Sequence, residues 1–155
     1  MDYYESKAKI AYEKYIKGEP FKKVYAVVQK GDKFVVLKNS KGRYEYSLSG
    51  GGVDDGETNV QAIKRELLEE LNINVEIKKS LGFCNYVHTW RYQGKEFDID
   101  YVSEIFMTKF VSYADNKNFG LEGEFDGKGI SIAEISREEM INKVYEFTAG
   151  GIKFD

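Results

Sequence analysis

The sequence predicts a single mixed α/β domain, on three observations. Apolar residues recur at helical spacing near the start of the chain and again over roughly residues 58–71. Between and after those segments lie runs rich in Val, Ile, Tyr and Phe, bounded by Gly, Asn and Asp, which read as strands. The chain of 155 residues suits one domain with one substantial core, and it holds no internal repeat, low-complexity stretch or linker.

The elements follow in order. Tyr4, Ala8, Ala11 and Tyr15 form a helical stripe. This predicts an amphipathic helix over roughly 2–17, within an N-terminal segment 1–18 and ended by Gly18 and Pro20. Its stripe suits packing on the domain or on a second subunit. Val24–Val28 and Phe34–Leu37 are expected strands joined by a turn at Gly31-Asp32, and Arg43–Leu48 a short strand leading into a glycine-rich loop. Residues 75–87 and 97–111 are β-rich, with a hairpin turn near Gln93-Gly94. A loop over about 112–129 precedes a strand at Ile130–Ile135. Ser136 and Glu139 then form a capping box that opens a helix through about Val144.

The densest chemistry lies between Gly51 and Ile73. Gly50-Gly51-Gly52 and Gly56 flank Asp54-Asp55, a run that calls for unusual backbone angles or close approach. Thr58 and Gln61 make a capping box, and Val60, Ile63, Leu67 and Leu71 give the stripe of an amphipathic helix. At about 100° per residue, Glu66, Glu69 and Glu70 share roughly a third of its circumference, beside the apolar stripe. Like charges at a core boundary are unfavourable unless cations neutralise them. Hard oxygen donors suit Mg²⁺ or Mn²⁺ far better than zinc. Arg65 is spaced to reach Glu69 or to orient a neighbouring carboxylate. Glu57 precedes the helix at its positive end, and Asn72 falls where a left-handed cap is expected. Residues 65–71 alone read better as a solvated helix face. The joint pattern of glycine loop, Glu57, Arg65-Glu66 and Glu69-Glu70 at fixed offsets selects metal–phosphate chemistry instead.

This stretch resembles the signature box of the Nudix hydrolases: Gly, five residues, Glu, seven residues, Arg-Glu, an aliphatic, any residue, Glu-Glu, any residue, Gly, an aliphatic. Every specified position matches except Asn72, where the family usually has Gly. Ser49 stands where many members have Pro. The resemblance implies an α/β/α sandwich with a mixed sheet between helices, across a single domain of residues 1–155. It also implies hydrolysis of a pyrophosphate linkage in a nucleoside diphosphate derivative, with Mg²⁺ or Mn²⁺. By the same resemblance Glu66, Glu69 and Glu70 are metal-binding carboxylates and the Gly50 carbonyl a further ligand. Arg65 would orient the carboxylates, and Gly51 and Glu57 would shape and close the loop. The general base is either Glu66 or a glutamate of a late loop, where Glu122 and Glu124 lie; ordinary loop solubility explains those two as well.

Composition narrows the partners. The net charge is −3, with no basic stripe, so nucleic acid is not the expected ligand, and trimming of triphosphorylated RNA is disfavoured. Bound cations invert local charge, so the acidic balance admits anionic substrates. The single cysteine, Cys84, excludes an intramolecular disulfide and a zinc cluster and reads as a small core residue. No apolar leader or membrane span is evident, so a cytoplasmic location is expected. The expected partner is a small nucleotide, and the chain a monomer or homodimer. Tyr86, Trp90, Tyr92 and Phe97 cluster around the expected hairpin and could stack a base, although alternating aromatics in strands are more often core. Lys38 and Arg43 could meet outer phosphates, against the alternative of a solvated strand edge. The competing reading is a non-catalytic module of the same fold that binds a nucleotide or a partner. The presence of all three carboxylates favours the enzyme.

Overall fold

The computed structural model describes residues 2–40, 44–115 and 129–154. Its elements are α1 (Tyr3–Ile16), β1 (Phe21–Lys30), β2 (Lys33–Asn39), β3 (Tyr46–Ser47), β4 (Ser49–Gly52), α2 (Asn59–Leu71), β5 (Ile73–Tyr92), β6 (Lys95–Tyr113), β7 (Ile130–Ile135), α3 (Arg137–Lys143) and α4 (Tyr145–Thr148). The strands form one mixed sheet of seven.

β1 organises that sheet. It runs parallel to β6 from Phe21 opposite Tyr101 to Gln29 opposite Lys109. Its other edge is shared, with β4 antiparallel to Lys23–Ala26 and β2 antiparallel to Val28–Lys30. Both faces of β1 are covered, which explains its apolar run rather than a strict alternation. Val24, Ala26 and Val28 face α2 and pack with Ile63, Leu67 and Leu71. Val27 faces the other way, into a cluster with Ile105, Met140 and Val144. Ile63 and Leu67 are fully buried, and each such side chain stabilises the fold by about 2 kcal/mol. The layers are therefore helix, sheet, helix, as expected for an α/β/α sandwich.

Local chemistry fixes the element ends. Thr58 accepts from the Gln61 N–H while the Gln61 side chain accepts from the Thr58 N–H, so both halves of the α2 capping box are made. Asn72 ends α2 with φ 56° and ψ 42°, the left-handed cap. Gln93 and Gly94 both have positive φ, 50° and 75°, which matches the twist of a two-residue hairpin between β5 and β6. α1 packs on that hairpin, where Ala8 and Ala11 meet Trp90, Phe97 and Ile99.

Four expectations need correction. Ser49–Gly52 is a strand and not a loop, because the glycines let β4 lie close against β1. Val60 is largely exposed; Ala62 takes its place on the buried face of α2. Of the strand expected over residues 43–48, Arg43 lies outside the described residues, and among residues 44–48 the strand covers Tyr46–Ser47. The short helix α4 was not anticipated: four residues offer too little periodicity to read. No helix of the described residues is long and apolar enough to cross a membrane.

Candidate active site

β4 and α2 bring the glycine run and the carboxylates together. α2 lies over β4, and its inner face buries Glu66 and Glu70 beside the apolar stripe, at 9 % and 7 % exposure. Burying carboxylates is costly unless they are hydrogen-bonded. Glu70 Oε1 accepts from the Ser49 hydroxyl at 2.7 Å and from the Gly50 N–H at 2.9 Å. Glu66 Oε1 accepts from Arg65 Nη1 at 3.0 Å. Glu69, the third acid, is more than half exposed and receives a longer contact from the same nitrogen.

Arg65 is the hub. Its Nε and Nη2 donate to the two oxygens of Glu57 at 2.8 and 3.0 Å, a bidentate pair. Nη2 also donates to the Gly52 carbonyl at 2.9 Å, tying α2 to the end of β4. Glu57 Oε1 in turn accepts from the Asp54 N–H at 3.0 Å, which closes the loop between β4 and α2. The hydrogen bonds from Arg65 hold the Glu57 carboxyl below the ordinary carboxylate range. The same pairing pushes the guanidinium further up, so its charge is fixed.

The two central glycines are required for different reasons. A Cβ on Gly50 would lie 1.9 Å from the Val24 carbonyl oxygen, so only glycine lets β4 pair with β1. A Cβ on Gly51 would lie 2.5 Å from Glu66 Oε1, so Gly51 makes room for the acid.

The other residues singled out from the sequence scatter. Tyr86 lines a cavity on the far face of the sheet. Trp90 is buried beneath α1, its Nε1 donating to the Tyr101 hydroxyl at 2.8 Å. Lys38 is exposed on β2, between Tyr46 of β3 and Ser131 of β7, away from the carboxylates. Arg43, Glu122 and Glu124 lie outside the described residues. Ser49 and the Gly52 carbonyl complete the site without having been identified as functional. Ser49 carried a signal, a hydroxyl directly before three glycines, but nothing in the sequence said that it faces Glu70.

Residues 20–149 match the family model described as NUDIX domain. Among solved structures, the fold is similar to a NUDIX hydrolase from Nitrosomonas europaea, at 24 % identity over 81 % of this chain and 78 % of that one, with a TM-score of 0.55. It is also similar to a MutT protein from Methanosarcina mazei Go1, at 20 % identity over 79 % and 80 %, TM-score 0.52. A third is an ADP-ribose pyrophosphatase from Streptococcus suis 89-1591, at 15 % identity over 76 % and 74 %, TM-score 0.51. At these identities the likeness is one of fold. No curated protein matches the chain. With a family model spanning most of its length and the signature residues set around one partly buried arginine hub, the chain belongs to the Nudix family.

Proposed function

We propose that this Nudix pyrophosphohydrolase cleaves a phosphoanhydride linkage in a nucleoside diphosphate derivative. The candidates are a nucleoside triphosphate, ADP-ribose or another sugar nucleotide, and a dinucleoside polyphosphate. Glu66, Glu69, Glu70 and the Gly50 carbonyl would hold Mg²⁺ or Mn²⁺. The observation that carries this is the pair of buried acids, Glu66 and Glu70, seated on the inner face of α2 against the glycine strand β4, with Glu70 Oε1 on the Gly50 N–H and Glu66 Oε1 on Arg65.

The donor set fits a hard divalent cation: all oxygen, three carboxylates within five residues of one helix. Among the described residues no three such side chains already converge on one point. Glu70 is turned onto Ser49 and Gly50, and Glu66 onto Arg65, so these carboxylates would exchange protein donors for a cation. When bound, the cation lowers the pKa of a water and neutralises phosphate oxygens. The chain's own part is positional. Arg65 and Glu57 fix the loop, Ser49 and the Gly50 N–H aim Glu70, and a carboxylate takes the proton of the attacking water, Glu66 or one of Glu122 and Glu124. As the water oxygen bonds to one phosphorus, the bridging P–O bond breaks and the rest of the substrate leaves as a phosphate-bearing group.

The test is hydrolysis of a nucleotide panel with Mg²⁺ or Mn²⁺, run beside Glu70→Gln. The expected result is metal-dependent cleavage that falls by about 10²-fold or more in the folded variant. A variant that folds and turns over like the parent removes Glu70 from the site. A well-folded parent that cleaves nothing favours the nucleotide- or partner-binding module instead.

A further inference from the structure

The first helix stands outside the domain that the family model matches, since α1 ends at Ile16 and the match begins at residue 20. It is nevertheless firmly seated. Ala8 and Ala11 are buried against the β5–β6 hairpin. Around them run aromatic contacts with ring centres 4.8–5.5 Å apart: Tyr4 on Trp90, Tyr12 on Tyr92 and Phe97, and Tyr15 on Phe97. Several such contacts in a row fix a helix as a rigid element.

The last turn of that helix reaches the carboxylate site. Lys14 Nζ lies 3.6 Å from Asp55 Oδ1, in the loop between β4 and α2. The two ends of this pair differ: the Lys14 side chain is 17 % exposed and that of Asp55 97 %. The lysine lies over the Phe21 ring, its Nζ 6.0 Å from the ring centre, and Phe21 is itself buried and stacked on Tyr101. Lys14 is thus a cation held in place, and Asp55 is the end that moves to meet it. Beside the pair, α1 and the loop face each other across a cavity of about 210 Å³. Ile10 and Lys17 line it from the helix, Val53 and Asp54 from the loop. The ion pair, and not close packing, spans that gap.

Asp55 adjoins the residues that fix Arg65. Asp54 Oδ2 lies 3.4 Å from Arg65 Nε, and the Asp54 N–H donates to Glu57 Oε1, to which Arg65 Nη2 also donates. Arg65 Nη1 then reaches Glu66 and Glu69. A run of consecutive contacts therefore joins α1 to the carboxylates.

We propose that α1 braces the β4–α2 loop through Lys14, a positioning residue that acts on the carboxylates by way of Asp55, Asp54 and Arg65. The inference rests on the hydrolase reading given above and deepens it, adding to the site a residue from outside the matched domain. An ion pair with one exposed partner contributes little to stability, so Lys14 acts on where the loop sits and not on whether the chain folds. A bias of that size changes the share of loops in the working position by no more than about fivefold.

The experiment compares the full chain with Lys14→Met, which keeps the stem over Phe21, with Asp55→Asn, and with the double variant. Lys17→Met, from the same cavity wall, is the control. The kcat and KM are measured with Mg²⁺ on the best nucleotide of the panel above, at low and high salt. NMR spectra follow the Arg65 Nε–H and the amides of residues 53–57. Lys14→Met is expected to lower kcat about threefold, to change KM and Tm little, and to move the Arg65 and loop signals. Asp55→Asn should do the same. The double variant should lose no more than either single one, whereas independent effects would multiply to about ninefold. Lys17→Met should behave as the parent, and raising the salt should narrow the gap between parent and Lys14→Met. A folded Lys14→Met with the parent's kcat and Arg65 signal, or a double variant that loses the full product, overturns the proposal. Should Lys14→Met unseat α1, Asp55→Asn decides, and an unchanged kcat and Arg65 signal in that variant overturn the brace. A parent that cleaves no nucleotide refutes the hydrolase reading alone; the brace then stands or falls on whether Lys14→Met moves the Arg65 Nε–H.

Discussion

The Ser49 hydroxyl donates to Glu70 Oε1 at 2.7 Å, within a site where both residues are buried. This one bond links the last residue before the glycine run to the last turn of α2. Ser49→Ala removes it and leaves Glu70 with the Gly50 N–H on that oxygen. A hydrogen bond to a charged group contributes about 1.5–3 kcal/mol, so a clear drop in Tm is expected. Turnover should fall about tenfold as Glu70 loses its aim. Thermal unfolding and steady-state kinetics of the same preparation check both; an unchanged kcat would make Ser49 structural alone.

Gly50 and Gly51 are adjacent, but their alanine variants should fail differently. Gly50→Ala forces a Cβ onto the Val24 carbonyl and the Tyr25 backbone, which cannot yield without parting β4 from β1. The expected loss is about 3 kcal/mol or more, with activity lost alongside the fold. Gly51→Ala meets only the end of the Glu66 side chain, which can swing aside. That variant should fold with a small loss of stability and turn over at least about tenfold more slowly. Circular dichroism melts set against kcat separate the two cases, and equal stability losses would contradict the assignment.

Arg65→Lys keeps a positive charge but loses the planar fork that holds both oxygens of Glu57 and the Gly52 carbonyl. Turnover is expected to fall about tenfold or more while binding of substrate changes less. Glu57 adds a pH signature. Its carboxyl is held below the ordinary range by the Arg65 hydrogen bonds, so the stability it contributes is present above that range and is lost as pH falls through the folded value. Urea unfolding between about pH 3 and 7 should show a shallower acid loss in Glu57→Gln than in the parent.

Much of the site was legible because its chemistry is local. The spacing of Glu57, Arg65, Glu66, Glu69 and Glu70 along one loop and one helix is a periodicity argument. The capping box and the left-handed Asn72 follow from side chains within four residues. What escaped was set by tertiary pairing. The glycine run reads as a loop in isolation and becomes a strand only because β1 has an open edge to receive it. Ser49 meets Glu70 across 21 positions, and Lys14 of α1 meets Asp55 in the loop before α2. Trp90 illustrates the converse. Base stacking is the lesser of two sequence readings of its aromatic cluster, core the greater, and here α1 covers it and its indole N–H is used by Tyr101.

Glu146 makes the sharpest stability prediction. Burial raises its carboxyl from an ordinary 4.5 to about 7 in the folded chain, whereas the unfolded chain ionises it at the ordinary value. Between those two values the folded state binds more protons than the unfolded state. Stability from this group is therefore greatest below about pH 4.5, declines as pH rises toward 7 and levels off above it. The full decline is on the order of 3 kcal/mol. Glu146→Gln cannot ionise, so this contribution becomes flat, and the variant should be the more stable of the two at pH 8. Glu57 acts in the opposite direction and at lower pH, which keeps the two signals apart. Urea unfolding of parent and Glu146→Gln at pH 5, 6, 7 and 8 is the check. A difference in stability that grows with pH supports a proton held on Glu146; a constant difference would show the carboxyl already ionised at pH 5.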